Sequence, residues 1–228
     1  MEQIEKNTVS AQNQLKKTEY VFFEDRENKG PRILFVGNSM TCHGIKHEIG
    51  WHNQWGMAAS AKEKDYVHLC ISHIKNRHPN ATFCVCQVSA WEMIYQNAAH
   101  IYPLYEAARN FQADVIIWRA VENCPTEGFE KDIFISALDG LLGYLNPDGH
   151  AKILLTTGFW RHIADEGIRA YGQAHNLSLC ELGDLGELDE MKALGLFEHE
   201  GVANHPGDLG MQKIAERICK ALEANKAF

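Results

Sequence analysis

Residues 32–44 read RILFVGNSMTCHG: an apolar run that stops at a glycine, an asparagine and a serine. Four consecutive apolar residues, Ile33 to Val36, suit a strand covered on both faces, as in parallel sheets. In an open α/β sheet, ligands sit beyond the carboxyl ends of the strands. Ser39 is therefore either an ordinary loop residue or a reactive group on display, and the rest of the chain decides which.

Outward from this stretch, compact apolar runs alternate with amphipathic segments. Strands are expected at 32–36, 82–88, 114–120, 151–157 and 177–182. Between them, helices are expected at 57–77, 129–146, 160–175 and 208–223, and at 91–111 with a break at Pro103. In the first of these, Val67, Cys70, Ile71 and Ile74 recur at i, i+3, i+4, i+7; in the last, Met211, Ile214, Ala215, Ile218 and Leu222 do the same. Asn146-Pro147-Asp148-Gly149 marks a stop before the fourth strand. The pattern predicts an α/β fold with one doubly wound, five-stranded parallel sheet and helices on both faces, in the flavodoxin-like manner. Residues 31–228 form that domain, and residues 1–30 read as a polar N-terminal arm.

A chain of 228 residues, 45% hydrophobic and 23% charged, can build one sizeable core. The net charge is −8 and the 22 Lys and Arg form no basic block, which argues against a nucleic-acid partner. No apolar run approaches a membrane span of roughly 20 residues, so no membrane partner is expected. The charged N-terminus is unlike a signal peptide, and seven cysteines, an odd number, suit a reducing compartment; the cytoplasm is expected. Cys84 and Cys86 share one face of a strand and read as core thiols.

The strand ends carry the chemistry. After the first comes Gly37-Asn38-Ser39; after the second, Ser89-Ala90-Trp91-Glu92; after the third, Val121-Glu122-Asn123-Cys124; after the fourth, Gly158-Phe159-Trp160-Arg161. Asn204-His205-Pro206-Gly207-Asp208 precedes the last helix. A serine nucleophile needs a base, and the tetrahedral oxyanion it forms needs preorganised donors. Ser39 and His205 can supply the first; the Ser39 and Ala90 N–H groups and the Asn123 amide can supply the second.

In this order the blocks GNSMT, VSAWE, VEN and NHPGDLGMQKIA resemble those of the SGNH, or GDSL-type, hydrolases over roughly residues 32–222. The resemblance implies Ser39 as nucleophile, His205 as base, and Ser39, Ala90 and Asn123 as the oxyanion hole. It implies a small-molecule carboxylic ester as substrate, with a short acyl group on a carbohydrate or small alcohol, and no cofactor. Asn38 stands where the family has aspartate, and Ala90 where it has glycine. Val202 occupies the family's aspartate position three residues before the histidine and cannot act as the acid. Glu200 is then one candidate for the third member, with Glu198 more distant; the other solution is a dyad in which a backbone carbonyl accepts the Nδ1 proton. Asp208 belongs to the first turn of the last helix. Trp91, Trp160 and Arg161 follow strand ends and are candidates for substrate contact.

Rival readings remain. A scaffold of this kind without catalysis would be a sugar-binding module, and the same family resemblance covers lysophospholipases and thioesterases. Cys42 and Cys124 are alternative thiol nucleophiles. A flavodoxin-like nucleotide site would need a Gly-rich phosphate cradle, which Gly37-Asn38-Ser39 does not offer. His47-Glu48 and His52 would diverge by about 140° on a helix, and His43 with His47 lacks a third ligand, so no metal site is expected.

Overall fold

The structure, a computed structural model, describes residues 20–225 and 227. Among these residues, six strands form the sheet: β1 (Val21–Glu24), β2 (Arg32–Gly37), β3 (Thr82–Gln87), β4 (Val115–Arg119), β5 (Lys152–Thr156) and β6 (Ser178–Cys180). Their order is β1-β3-β2-β4-β5-β6, parallel throughout except for β1, which runs antiparallel to β3. The five expected strands are present with ends shifted by two residues or fewer. The sixth corrects the expectation of a polar arm over 1–30: Val21–Glu24 adds to the open edge through backbone pairing with Phe83–Cys86. The remainder of that arm, residues 1–19, lies outside the described residues.

Among the described residues, seven α-helices flank the sheet: α1 (Tyr66–Lys75), α2 (Ser89–Ile94), α3 (Glu106–Asn110), α4 (Lys131–Leu145), α5 (Asp165–Ala174), α6 (Glu200–Ala203) and α7 (Asp208–Ala224). The pleat of β2 divides the core. Ile33 and Phe35 face α1 and α7, where the full stripes Val67-Cys70-Ile71-Ile74 and Met211-Ile214-Ala215-Ile218-Leu222 are buried. Leu34 and Val36 face the opposite layer, with Leu138 and Leu142 of α4 and Ile168 of α5. Cys84 and Cys86 lie in this second layer, and all seven cysteines are buried and free. No helix among the described residues is long and apolar enough to cross a membrane.

The segment between β2 and α1 differs from the expected helix over 57–77, which begins only at Tyr66. Residues 57–65 are instead tied into a loop: Met57 N–H donates to the Ser39 carbonyl, and Ala58 has a positive φ of 73°. Buried Asp65 ends this loop, accepting from the Gly56 N–H and capping α1 through the His68 N–H at 2.8 Å. The loop has its own apolar cluster of Trp51, Met57 and Ala58 packed with Ala193 and Val202. His47 and His52 are also placed differently from the helical expectation. A 3₁₀ turn over His47–Ile49, a left-handed Gly50 and a Lys46–Trp51 bridge bring their Nδ1 atoms to 2.7 Å. Among the described residues no group of three or more His, Cys, Asp or Glu is placed to hold a metal ion.

Candidate active site

Strand order reverses at β2. The chain leaves β2 for β3 on one side, then crosses back to β4 on the other, which opens a crevice between the carboxyl ends of β2 and β4. Gly37 pairs with Arg119 there, so the residues that follow, Ser39 and Asn123, emerge on the same rim. Gly37 cannot be larger: a Cβ would lie 1.8 Å from Thr41 Oγ1 and 2.7 Å from the Arg119 carbonyl. Beyond it the chain turns at once, with Thr41 and Cys42 N–H groups donating to the Asn38 carbonyl. That tight turn leaves Ser39 half-buried at the crevice.

Ser39 Oγ lies 2.8 Å from His205 Nε2, across 166 residues of chain. His205 Nδ1 lies 2.6 Å from the Gly201 carbonyl oxygen. A carbonyl only accepts, so Nδ1 carries the proton and Nε2 is left with a lone pair for the serine hydroxyl. The carbonyl is one that the last turn of α6 leaves without an intrahelical donor, which is why a histidine four residues on can take it. Burial favours the neutral ring and pulls His205 down to about 4, against the Gly201 carbonyl, which favours the imidazolium. Trp160, half-buried, meets the imidazole edge to face with centroids 5.5 Å apart.

Position 202 faces away from this chemistry. Val202 is fully buried among Trp51, Met57, Ala58 and Ala193, where an unpaired carboxylate would be costly. Glu200, one candidate for the third member, is exposed at the start of α6 and does not meet His205, because Gly201 already holds Nδ1. Glu198 is exposed as well. Asp208 stands at the start of α7 as expected, bound to Ser60 and Lys64.

One of the three substrate-contact candidates lies elsewhere than expected. Trp91 is core: fully buried, it packs edge-on against Trp118 at 5.3 Å and against Phe134 and Tyr95. The sequence placed it after a strand end, but in a short helix the side chain turned inward. Trp91→Ala should therefore lower unfolding stability by about 3–5 kcal/mol in urea titration, an effect on the fold rather than on substrate affinity. Arg161 is exposed and paired with Glu187. The thiols are poor nucleophiles. Cys42 is buried and pushed up to about 12 by that burial, and burial likewise raises Cys124, so both stay protonated at neutral pH.

Beneath the crevice lies a buried polar network that sequence reading passed over. Asn38 Nδ2 lies between two carboxylates, 3.0 Å from Glu92 Oε1 and 2.6 Å from Glu122 Oε2. Arg119 Nη2 donates to Glu122 Oε2 at 2.6 Å and to Asn38 Oδ1 at 3.1 Å. Glu122 also accepts from the Phe159 N–H at 2.7 Å, and Glu92 from Asn123 Nδ2 at 2.6 Å. Burial raises Glu122, but the Arg119 charge and these donors outweigh it and hold the group below the ordinary carboxylate range. Glu92 gains less from Arg119: burial and the neighbouring Glu122 charge push it up to about 7. A buried arginine inside the apolar run VIIWR was the signal that could have announced this network.

No family model matches the sequence, and no curated protein matches it. Solved structures do. A lipase/acylhydrolase from Enterococcus faecalis superposes with a TM-score of 0.56 at 12% identity, covering 86% of this chain and 96% of that one. A protein of the G-D-S-L lipolytic family from Desulfitobacterium hafniense does so at 0.53 and 13%, covering 84% and 99%. A two-domain esterase active on acetylated mannans matches at 0.56 and 16%, over 88% of this chain and 50% of that one. The chain has the α/β fold of the GDSL-type, or SGNH, hydrolases.

Proposed function

We propose that this chain is a serine esterase that cleaves a carboxylic ester by acyl transfer. The observation that carries the reading is the Ser39–His205 pair at 2.8 Å with Nδ1 already committed to a carbonyl. Ser39 Oγ attacks the ester carbonyl while Nε2 takes its proton; the new Nε2–H is then returned to the departing alkoxide, and water repeats the cycle on the acyl-enzyme. The Ser39 and Ala90 N–H groups and the Asn123 amide are assigned to the oxyanion. With the carbonyl of Gly201 on Nδ1 in place of a carboxylate, the imidazolium is stabilised by that dipole and, from farther off, by the Glu122 charge, against burial and the Arg119 charge. Burial pulls His205 down to about 4, which weakens it as the base that takes the serine proton and strengthens its imidazolium as the acid that protonates the leaving alkoxide.

The substrate is a short acyl ester of a carbohydrate or small alcohol. Trp160 beside the base that protonates the leaving alcohol supports a ring contact on that side, and the mannan esterase offers an analogy of substrate. A second reading, a longer acyl chain, is favoured by exposed Ile45, Ile163, Leu194 and Leu196 on segments beyond strand carboxyl ends. Nitrophenyl esters of graded chain length test both. Highest kcat/KM at acetate supports the short-acyl reading, a maximum at eight carbons or more supports the other, and no turnover of any ester contradicts the esterase.

A further inference from the structure

We propose that Glu92 is a positioning residue for this reaction, holding the Asn123 amide and the turn that carries Ser39 on a single buried carboxylate. The inference rests on the esterase reading and assigns a residue within its site.

The contacts define what the group must be. Glu92 is fully buried at the fourth residue of α2. Its Oε2 accepts from Asn123 Nδ2 at 2.6 Å, and its Oε1 accepts from Asn38 Nδ2 at 3.0 Å and from the Asn123 N–H at 3.4 Å. Both oxygens therefore act as acceptors, the role an ionised carboxylate fills with every lone pair; a glutamine would turn an NH₂ donor toward one asparagine, and protonation would place an O–H among these donors. With one Nδ2–H held by Glu92, the amide plane of Asn123 is fixed and its second Nδ2–H is left for an oxyanion. On the other side, Asn38 directly precedes Ser39, and its Oδ1 accepts from the Met40 N–H at 3.4 Å. One anion thus braces a donor and the nucleophile's turn together, as preorganisation requires.

The arrangement also accounts for asparagine at position 38. Its Nδ2 is shared by Glu92 and Glu122, so an aspartate there would put a third carboxylate in a site with one buried cation, Arg119. The groups facing Glu92 are Glu122, Arg119 and Cys124 from β4 and the loop after it, and Tyr105 from the segment before α3. Of these, Glu122 is the charge that opposes its ionisation most, and Arg119 favours it.

The test is steady-state kinetics of the full chain on nitrophenyl acetate from pH 3.5 to 9, with thermal melting of each variant. Glu92→Gln should lower kcat about 10–100-fold with KM within about threefold, and Asn123→Ala about 10²–10³-fold. In the Asn123→Ala background, adding Glu92→Gln should cost less than about threefold, because the donor it positions is gone. Wild-type kcat should show a step near pH 7 that is absent in Glu92→Gln. Glu92→Asp, which keeps the charge but withdraws the oxygens, should also lose kcat selectively. Full-speed Glu92→Gln, losses that multiply in the double variant, or a wild type without the step would each overturn the assignment; the last needs no variant to fold. If the wild type itself neither turns over the ester nor is labelled by a fluorophosphonate, the esterase reading has failed and this one with it. Wild-type turnover with an unaffected Glu92→Gln sinks Glu92 alone.

Discussion

Ser39→Ala should reduce ester hydrolysis by about 10⁴-fold or more with the melting transition almost unmoved. The serine is half-buried on a turn whose geometry is set by Gly37 and by the Asn38 carbonyl, and its hydroxyl is directed to His205 rather than into the core. Removing that oxygen withdraws the nucleophile and little else. Cys42→Ala is the matched control and should stay within about threefold of wild type, since a thiol pushed up to about 12 supplies almost no thiolate. Kinetics on nitrophenyl acetate with urea denaturation of both variants check the pair. A Cys42→Ala loss larger than that of Ser39→Ala would transfer the nucleophile to the thiol.

The second large effect belongs to the base. His205→Ala should cost about 10³-fold or more in kcat, whereas Glu200→Gln should stay within about tenfold, because Gly201 and not Glu200 holds Nδ1. The sign of the pH dependence follows from the burial of the ring. His205 is pulled below its ordinary value near 6.5 to about 4, so the neutral, proton-accepting form persists from alkaline pH down through 5. Activity should therefore be lost completely only as pH falls through about 4, beneath the partial step assigned to Glu92. A Glu200→Gln loss equal to that of His205→Ala would make Glu200 the third member and refute the dyad.

Much of the fold was legible because buried parallel strands leave unmixed apolar runs and helices leave stripes; the strand ends moved by two residues or fewer and both stripes are buried. The helix expected over 160–175, by contrast, begins only at Asp165, and that over 91–111 is split into Ser89–Ile94 and Glu106–Asn110 with 3₁₀ turns between them, one of which contains Pro103. Val21–Glu24 was not, since a four-residue edge strand inside a polar stretch is held by backbone pairing that carries little side-chain signature. The helix drawn back to residue 57 failed for a related reason. Met57, Ala58 and Ala59 are buried, but against the loop cluster and not along a helical stripe. Ser39, His205 and Asn123 were picked from their places after strands and before the last helix, which topology brings to one rim. Trp91 was misplaced because position after a strand end does not say which way a side chain on a short helix turns. Glu92, Glu122 and Arg119 were passed over individually, since their meaning lies in contacts made through Asn38 between three segments that only the folded chain brings together.

Activation of Ser39 by His205 should make it the one residue that a serine-directed electrophile modifies, which covalent labelling reads without any choice of substrate. The full chain is treated with a fluorophosphonate at pH 8, digested, and the modified peptide sequenced by mass spectrometry. One adduct is expected, on Ser39, formed at a rate that collapses in His205→Ala and survives in Glu200→Gln. A folded protein that remains unlabelled, or an adduct on any residue other than Ser39, would contradict Ser39 as the nucleophile.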